Sequence, residues 1–279
     1  MIKRTFLARG VEYASKLALL NVIDLEKIID WNIGNDLLLY RMSSDMFPWM
    51  SEYELEDLPD ITDIANILAR IGAKVREHDL RLAFHPGPFN VLASRDQNVV
   101  LKTIKELRQH AEIMDVIGLP RSPFAKINIH LGGAYGNRRE AIARFIDNLS
   151  LLPDSARTRL TIENDDRPNM FSVGDLMMVY DATAVPIVFD YHHHLFRSGD
   201  LTTREGLELA LTTWPSTITP IVHVSSSRKQ HEDQSASAAS HADFIYESFT
   251  SWGHRVDVML EAKAKEMAVF RFRESVLSA

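Results

Sequence analysis

The chain has 279 residues, of which 46% are hydrophobic and 25% charged, and it contains no cysteine. This length is ordinary for a (β/α)8 barrel, which takes roughly 250 residues. The lack of cysteine excludes disulfides and thiolate metal ligands, and a reducing cytoplasm is the expected compartment. The start, Met1–Phe6, lacks the apolar stretch of a secretory signal, and no apolar run approaches the roughly 18 residues of a membrane span.

The formal net charge of −7 restricts the choice of partners. Nucleic-acid binding favours a basic surface, so this charge taken alone argues weakly against a nucleic-acid partner. A site built from carboxylates is an exception, because bound divalent cations cancel its negative charge. Two or three such ions would add about +4 to +6, so a phosphodiester substrate stays compatible with the acidic composition.

Short apolar segments recur along the chain and alternate with segments of helical periodicity. The predicted strands are, in chain order, Leu37–Met42, Leu80–Phe84, Ala125–His130, Arg159–Glu163, Val185–Asp190, Pro220–Val224 and Val256–Glu261. The predicted helices include Asp24–Trp31, Asp63–His78, Val99–Ile117 and Arg138–Leu149. Nearly continuous apolar strands indicate a parallel sheet buried on both faces. We therefore predict an α/β fold with a single TIM (β/α) barrel domain over residues 1–279, and an open doubly wound sheet is the competing architecture.

Two segments fit this pattern less well. The pattern yields seven strands, and Ile2–Leu7 is a poor substitute for another, so the barrel either lacks its first strand or has an altered one. The polar segment Ser225–Ser240 follows the sixth predicted strand. It is either a solvated surface loop or a substrate-facing loop, because the loops after barrel strands form the catalytic face.

A histidine or an acidic residue stands at the end of six successive strands. These residues are His85, His130, Glu163, Asp190, His223 and Glu261. In a barrel the carboxyl ends of the strands converge on one pocket, and imidazole and carboxylate groups suit Zn²⁺ or Mn²⁺. A lone strand-end histidine is more often a structural residue, and a lone acid is often a helix cap or a salt-bridge partner. Six of them at matching positions predict a cluster of divalent metal ions, because isolated charges there would be costly to bury.

Two further histidines extend the predicted cluster. Asp190 and His193 are spaced so that they can reach neighbouring ions, and Glu163 can bridge two ions through its two carboxylate oxygens. His241, which we place at the start of the last predicted helix, is another candidate ligand. The remaining histidines that we interpret as surface or packing residues are His78, His110 and His254.

Several motifs span nearly the whole chain in a fixed order. They are Arg41–Ser44, His85-Pro86-Gly87, His130–Gly136, Glu163-Asn164-Asp165, Asp190 with His192–His194, Val222-His223, Ser240-His241-Ala242 and Val258–Lys263. Together they resemble the UV damage endonuclease family of DNA repair enzymes, which is related to endonuclease IV and shares its three-metal barrel. The resemblance implies an enzyme that nicks DNA immediately 5′ to a lesion such as a pyrimidine dimer, leaving a 3′-hydroxyl and a 5′-phosphate.

The resemblance also implies how the metal ions are held. Mn²⁺ is the metal that the family suggests, with Zn²⁺ as the other possibility. One ion would be held by His85, His130 and Glu163, and a second by Glu163, Asp190, His223 and Glu261. His193 and His241 would contribute to a third ion.

The chain departs from the family pattern at four places. The segment before Arg4 is too short for the family's first strand, which carries a lesion-probing aromatic residue. The family's second lesion probe, Gln-Tyr, is replaced by Pro88 and Phe89. A lysine that often stands two residues before the histidine of the sixth strand is Ile221, and an expected histidine after the first strand is Glu52. Phe89 can still stack on bases, but Pro88 cannot replace the hydrogen bonds of glutamine. Incision chemistry therefore follows from the resemblance more firmly than specificity for UV lesions.

The leading hypothesis is a metal-dependent endonuclease that acts on damaged double-stranded DNA. We expect it to be a monomer with no membrane partner. Glu163 and Lys263 are the predicted catalytic residues; Lys263 either stabilises developing charge or forms a salt bridge to a strand-end carboxylate. The predicted DNA-contacting residues are Phe89, Tyr135 and Arg41. Arg41 has an alternative interpretation as a structural arginine of the barrel interior.

Two other functions fit parts of the same pattern. A sugar isomerase or epimerase of the same barrel type also uses acids and histidines at strand ends with divalent metals, and its small polar substrate suits the net charge of −7. A barrel that binds damaged DNA or a metal without cutting is the non-enzymatic alternative, motivated by the missing first strand and the altered probes.

Overall fold

The computed structural model describes residues 1–277, which contain seven β-strands and ten α-helices. The strands are β1 Leu39–Met42, β2 Arg81–Phe84, β3 Ile127–His130, β4 Leu160–Glu163, β5 Ile187–Asp190, β6 Ile221–Val224 and β7 Asp257–Leu260. The helices are α1 Lys3–Gly34, α2 Ile61–Glu77, α3 Gln97–Ile117, α4 Arg138–Leu149, α5 Asp154–Arg157, α6 Val173–Thr183, α7 Tyr191–Phe196, α8 Thr203–Leu211, α9 Arg228–His231 and α10 Glu266–Leu277. All seven predicted strands are confirmed, with ends shifted by two residues at most.

The strands are parallel and follow one another in the sheet in chain order, from β1 to β7. The register places Leu39 opposite Arg81, Phe84 opposite Ile127, and, further along, Ile221 opposite Asp257. Strands β2, β4, β5 and β6 are buried at every residue, as expected of strands covered on both faces. Parallel strands alternating with helices confirm the predicted α/β class.

The chain divides into two compact units, and the first comprises Met1–Ile129 with Ala143–Thr161. Ion pairs join its first two helices, with Arg70 Nη2 lying 2.8 Å from Glu26 Oε2. Helix α2 approaches α3 so closely that a Cβ on Gly72 would lie 1.7 Å from the carbonyl oxygen of Ile117, and only glycine fits there. Close helix packing in this unit therefore depends on a residue without a side chain.

The second unit comprises His130–Ile142 and the residues from Ile162 onward. Capping boxes fix the starts of two of its helices: Ser172 accepts from the backbone of Asp175 at α6, and Thr202 accepts from that of Glu205 at α8. Helix α7 begins directly after β5, where Asp190 is the N-cap residue. Asp190 thus ends a strand and also caps the N-terminus of the helix that follows.

The N-terminal segment agrees with the alternative in which the barrel lacks its first strand. Ile2–Leu7 does not form a strand, because the chain is helical from Lys3. The predicted helix Asp24–Trp31 is confirmed but belongs to the much longer α1, which is interrupted at Gly10 with φ of 64°. A positive φ of this kind is accessible to glycine without steric cost, so Gly10 marks the break between two helical segments. None of the helices among residues 1–277 is long and apolar enough to cross a membrane.

The segment after β6 also needs a correction. The predicted loop Ser225–Ser240 contains the short helix α9, and His241 does not start a helix. Instead, His241 forms an antiparallel bridge with Ser227, and the Ala242 N–H donates to the Ser226 carbonyl at 2.9 Å. These long-range hydrogen bonds use backbone N–H and carbonyl groups that a helix would pair internally. The segment therefore forms a loop whose two ends are paired.

Candidate metal centre

Five of the predicted ligands lie at or next to strand ends of the second unit. Glu163 ends β4, Asp190 ends β5, His223 lies in β6, and Glu261 directly follows β7. All four are buried, and Glu163, Asp190 and His223 have no exposed surface. His130 ends β3 and is half-buried. Parallel strands present their carboxyl ends at one edge, which explains why residues so distant in sequence meet.

Glu163 contacts two imidazoles, one through each carboxylate oxygen. Its Oε1 lies 3.3 Å from Nδ1 of His193, and its Oε2 lies 3.2 Å from Nδ1 of His223. A carboxylate whose two oxygens face different histidines is placed to bridge two cations. The role of Glu163 as a bridge between two ions stays a prediction.

The same cluster continues through β7. Nδ1 of His223 also lies 3.2 Å from Oε1 of Glu261, and the second oxygen of Glu261 lies 3.6 Å from Nδ1 of His241. His241 therefore joins the cluster although its local structure was predicted wrongly. The antiparallel bridge to Ser227, not a helix start, holds it there.

Asp190 and His193 form a local pair at the start of α7. Oδ1 of Asp190 accepts the backbone N–H of His193 at 2.7 Å, as a helix cap does. Its Oδ2 lies 3.8 Å from Nδ1 of His193, and among the described residues it has no hydrogen-bond partner. A fully buried carboxylate oxygen without a hydrogen bond is costly, and a cation beside it would remove that cost.

The charges in this cluster shift one another's pKa values. Burial alone would raise the pKa of Glu163, but His223 and His130 outweigh it and hold that pKa well below its ordinary range. Burial raises the pKa of Asp190 to about 8, His193 opposes the shift, and the negative charge of Glu163 adds to it. Adjacent acids that share a site disfavour each other's ionisation in this way.

These residues fit divalent metal ions. Glu163, Asp190 and His223 each offer a ligand atom, and the three atoms lie within 4.8 Å of one another. A mixed set of carboxylate oxygens and imidazole nitrogens suits Zn²⁺, Mn²⁺ or Fe²⁺ and disfavours ions that prefer oxygen alone. The buried Oδ2 of Asp190, which lacks a hydrogen bond within the described part of the chain, is the independent observation that supports this fit.

His130 lies beside an acid that the sequence interpretation gave no role. Its Nδ1 lies 3.2 Å from Oδ1 of Asp165, two residues after Glu163. Burial would lower the pKa of His130, but the negative charges of Glu163 and Asp165 raise it to about 9. A carboxylate beside a ring nitrogen is the usual partner of a metal-ligating histidine. The signal was present in the Glu163-Asn164-Asp165 motif, but one sequence cannot show which member contacts which ring.

The two other histidines of α7 have packing partners of their own. Burial lowers the pKa of His192 to about 4, and its ring packs edge-on against Phe196 at 5.0 Å. His192 lines a cavity of about 640 Å³ next to α7. His194 is bonded to the carbonyl of Leu201 at 3.1 Å and contacts Phe189. Both rings thus have an aromatic packing partner.

The predicted DNA-contacting residues lie on both units. In the first unit, Phe89 is 88% exposed in the loop after β2, and Arg41 is half-buried in β1. In the second unit, Tyr135 is 54% exposed in the loop after β3, with a positive φ of 44°. Strained backbone that exposes an aromatic side chain is a feature of binding loops. Contact of these three residues with DNA stays a prediction.

The four other residues named from the sequence are divided between the two units. His85 directly follows β2 in the first unit and is half-buried, and its role as a ligand stays a prediction. Lys263 is exposed in the second unit, and its backbone N–H donates to the Ala242 carbonyl at 3.1 Å. Glu52 pairs with Lys102 at 3.1 Å, and Ile221 is fully buried in β6.

The other histidines match the interpretation as packing or surface residues. His110 is fully buried, and its ring packs against Phe84 at 4.5 Å. His78 and His254 are exposed. Buried and exposed histidines thus both occur outside the cluster, as predicted.

Comparison with known proteins bears on both fold and family. A model of the family "UV-endonuclease UvdE" matches residues 4–278. The UV DNA damage endonuclease of Bacillus cereus strain G9842 is 34% identical over 254 residues, which cover 88% of this chain and 77% of that protein.

Solved structures agree with this match. The crystal structure of SacUVDE superposes with a TM-score of 0.81 at 32% identity, covering 91% of this chain and 84% of that one. Endonuclease IV from Thermus thermophilus superposes with a TM-score of 0.60 at 13% identity, covering 91% of this chain and 94% of that one. At this identity the likeness concerns the fold alone. The fold is therefore of the TIM-barrel type, with seven parallel strands, as predicted. The family match, the relative and the SacUVDE structure agree, and the chain belongs to the UV-endonuclease UvdE family of DNA repair endonucleases.

Proposed function

We propose that this DNA repair endonuclease is metal-dependent and hydrolyses the phosphodiester 5′ to UV or other lesions in double-stranded DNA, leaving a 3′-hydroxyl and a 5′-phosphate. The observation that carries the proposal is the buried cluster around Glu163, in which three strand ends deliver acids and histidines to one place. Membership of the UV-endonuclease family favours this function over the sugar isomerase alternative.

The proposed ligands follow the resemblance, and the contacts of the second unit support most of them. His130 and Glu163 would serve one ion together with His85; Glu163, Asp190, His223 and Glu261 would serve a second, and His193 and His241 a third. Mn²⁺ is the proposed metal. Bound divalent ions would supply Lewis-acid activation of the phosphodiester and of the attacking water.

The residues of the chain have their own tasks in this proposal. Lys263 lies two residues after Glu261 and is exposed, so its ammonium group can approach a phosphate and stabilise charge that develops during cleavage. Arg41 would bind a backbone phosphate, for which a guanidinium is well suited. Phe89 and Tyr135 would stack on bases, because both present exposed rings on loops.

The test uses the purified full chain with Mn²⁺ and a duplex that carries a single UV photoproduct and a 5′ label. We expect one incision on the 5′ side of the lesion, with a product that a polymerase extends without prior phosphatase treatment. Glu163→Gln should lower the cleavage rate at least about 100-fold, because it removes a charged ligand shared by two ions. Glu12→Gln, an exposed change in α1, is the matched control and should cleave normally.

Three outcomes would contradict the proposal. Equal nicking of irradiated and unirradiated duplex would remove the lesion specificity. Full activity of Glu163→Gln would remove the assigned metal role. Tight binding of the lesion duplex without cleavage at any Mn²⁺ concentration would favour the barrel that binds and does not cut.

A further inference from the structure

Asn164 follows the shared carboxylate Glu163 and contacts both residues of the Asp190–His193 pair. It is fully buried in the second unit. Its side chain bonds to the backbone of Asp190, and its own carbonyl bonds to the ring of His193. One residue that is not itself a candidate ligand therefore makes hydrogen bonds to two residues that are.

The side chain of Asn164 pairs with Asp190 in both directions. Its Nδ2 donates to the Asp190 carbonyl at 3.0 Å, and its Oδ1 accepts the Asp190 N–H at 2.8 Å. A carboxamide carries a donor and an acceptor in one plane, so it can pair with a backbone as another peptide group would. The ladder register pairs Glu163 with Val188, and Asn164 extends this connection between β4 and β5 by one further step.

This pairing fixes the backbone at the point where Asp190 changes from strand to helix. Asp190 is the last residue of β5 and the N-cap of α7, so its φ and ψ set the direction of its carboxylate. Without Asn164, the N–H and the carbonyl of Asp190 would lose these partners in a buried environment. The carboxylate would then be free to rotate away from Glu163 and His223.

The carbonyl of Asn164 sets the tautomer of His193. Nδ1 of His193 lies 2.9 Å from this oxygen, and a carbonyl can only accept. Nδ1 must therefore carry a proton, and Nε2 is left as the nitrogen that can offer a lone pair to a cation. A backbone carbonyl on the far ring nitrogen is one of the partners that orient metal-ligating histidines.

We propose that Asn164 is a positioning residue of the metal centre: its side chain holds Asp190 at the end of β5, and its carbonyl fixes His193 as an Nε2 ligand. The inference rests on the proposed metal dependence and adds a residue with no ligand atom of its own to that site. Removing such a partner lowers metal affinity about 10- to 100-fold in comparable sites.

The first measurement is Mn²⁺ binding by isothermal titration calorimetry to the full chain and to two variants. Asn164→Ala removes both side-chain bonds, and Asn164→Ser keeps a smaller hydroxyl that can make one of them. We expect Mn²⁺ affinity to fall about 10- to 100-fold in Asn164→Ala and by less in Asn164→Ser. Equal affinity in all three proteins would overturn the role of the side chain.

The matched control is Thr161→Val, which removes another buried side-chain bond of β4, from Thr161 Oγ1 to Asn128 Oδ1 at 2.7 Å. This bond reaches neither Asp190 nor His193. Thr161→Val should therefore keep wild-type Mn²⁺ affinity even if its melting temperature falls as far as that of Asn164→Ala. An equal loss of affinity in the control would show that general destabilisation, not positioning, weakens the site.

The second measurement is made on the wild-type chain, and a variant serves only to assign the signal. In the full chain loaded with diamagnetic Zn²⁺, nitrogen NMR of labelled histidines should show His193 with a protonated Nδ1 and a metal-shifted Nε2. His193→Gln assigns the signal. A metal-shifted Nδ1 would overturn the inference while leaving the metal centre intact, whereas a wild-type chain that binds neither Mn²⁺ nor Zn²⁺ would instead refute the proposed function.

Discussion

His110 and His193 carry the same imidazole, but their surroundings shift its pKa in opposite directions. His110 lies in α3 against the backbone carbonyl of Glu106, and burial lowers its pKa to about 4. His193 is also buried, but the carboxylates of Asp190 and Glu163 raise its pKa to about 11. Burial favours the neutral ring, and a nearby carboxylate favours the charged one. The second effect prevails at the cluster because two acids act on one ring.

The low pKa of His110 predicts a loss of stability at mildly acidic pH. Below about 6.5 the unfolded chain binds a proton at this ring, whereas the folded chain does not bind one until the pH nears about 4. The free energy of unfolding should therefore fall by about 2 kcal/mol between pH 7 and pH 5 through this group. His110→Asn removes the titration and keeps an amide donor for the Glu106 carbonyl, which His110 Nδ1 contacts at 2.8 Å.

Urea unfolding of wild type and His110→Asn at the two pH values measures this effect. The variant should lose about 2 kcal/mol less on acidification than the wild type, whatever the other histidines contribute. His78→Asn is the control, because His78 is exposed and meets water in both states. Identical pH dependence of wild type and His110→Asn would contradict the prediction.

Residue identity was enough to find the candidate ligands, but not their partners. Strand-end positions are visible in a single sequence because apolar runs end there, which located Glu163, Asp190 and His223. The contact of His130 with Asp165 and the bonds of Asn164 were missed. Asn164 and Asp165 are neighbours in a polar segment, and their side chains point in different directions. The conformation of the folded backbone determines which histidine each of them contacts.

Individual strands of this chain are only four residues long, so side chains at their ends do much to anchor them. Arg159, just before β4, has no exposed surface. It donates to the carbonyls of Leu119 at 2.7 Å and Pro120 at 3.1 Å, and its Nη1 lies 2.8 Å from Asp115. A single guanidinium thus satisfies carbonyls just after the end of α3 and connects that segment to the start of β4.

Arg159→Met should destabilise the fold by about 3–5 kcal/mol, because it leaves buried carbonyls unsatisfied and breaks an ion pair. The matched control is Arg121→Met. Arg121 contacts the same carboxylate of Asp115 at 2.7 Å but is largely exposed, so its removal should cost far less stability than that of Arg159. Urea denaturation followed by circular dichroism compares the two, and similar losses would refute the anchoring role of Arg159.

The sequence located strands better than it located irregular segments. Strands were found because an unbroken apolar run is a local property. The helical start at Lys3 and the bridge between Ser227 and His241 were not found. The bridge depends on pairing between segments more than ten residues apart, and no local pattern encodes that.

For the whole molecule, the cluster is the place where folding concentrates negative charge. Glu163, Asp190 and Glu261 are buried acids that share two neighbouring histidines, His223 and His193. Such a group destabilises a fold unless a cation compensates it. Metal binding to the folded state alone should therefore raise stability by mass action.

Mn²⁺ at about 100 times its dissociation constant should stabilise the fold by about 2.7 kcal/mol and raise the melting temperature by roughly 5 °C. Scanning calorimetry of EDTA-treated protein with and without Mn²⁺ measures the shift. The Mn²⁺-dependent rise in melting temperature should be mostly lost in Glu163→Gln and should be retained in Glu12→Gln. A melting temperature that is insensitive to Mn²⁺ would argue against a metal centre in the folded chain.

The sequence by itself determined the seven strands, the α/β class and the set of acids and histidines at strand ends, because hydrophobic periodicity and residue type are local properties. Only the tertiary structure decided which of these side chains meet: that Glu163 lies between His193 and His223, and that Asn164 holds Asp190. Contacts between strands depend on the register of the strands and on the direction of the backbone. Both are determined by the packing of the whole chain. Candidate ligands of a site can therefore be proposed from one sequence, but the residues that contact them cannot.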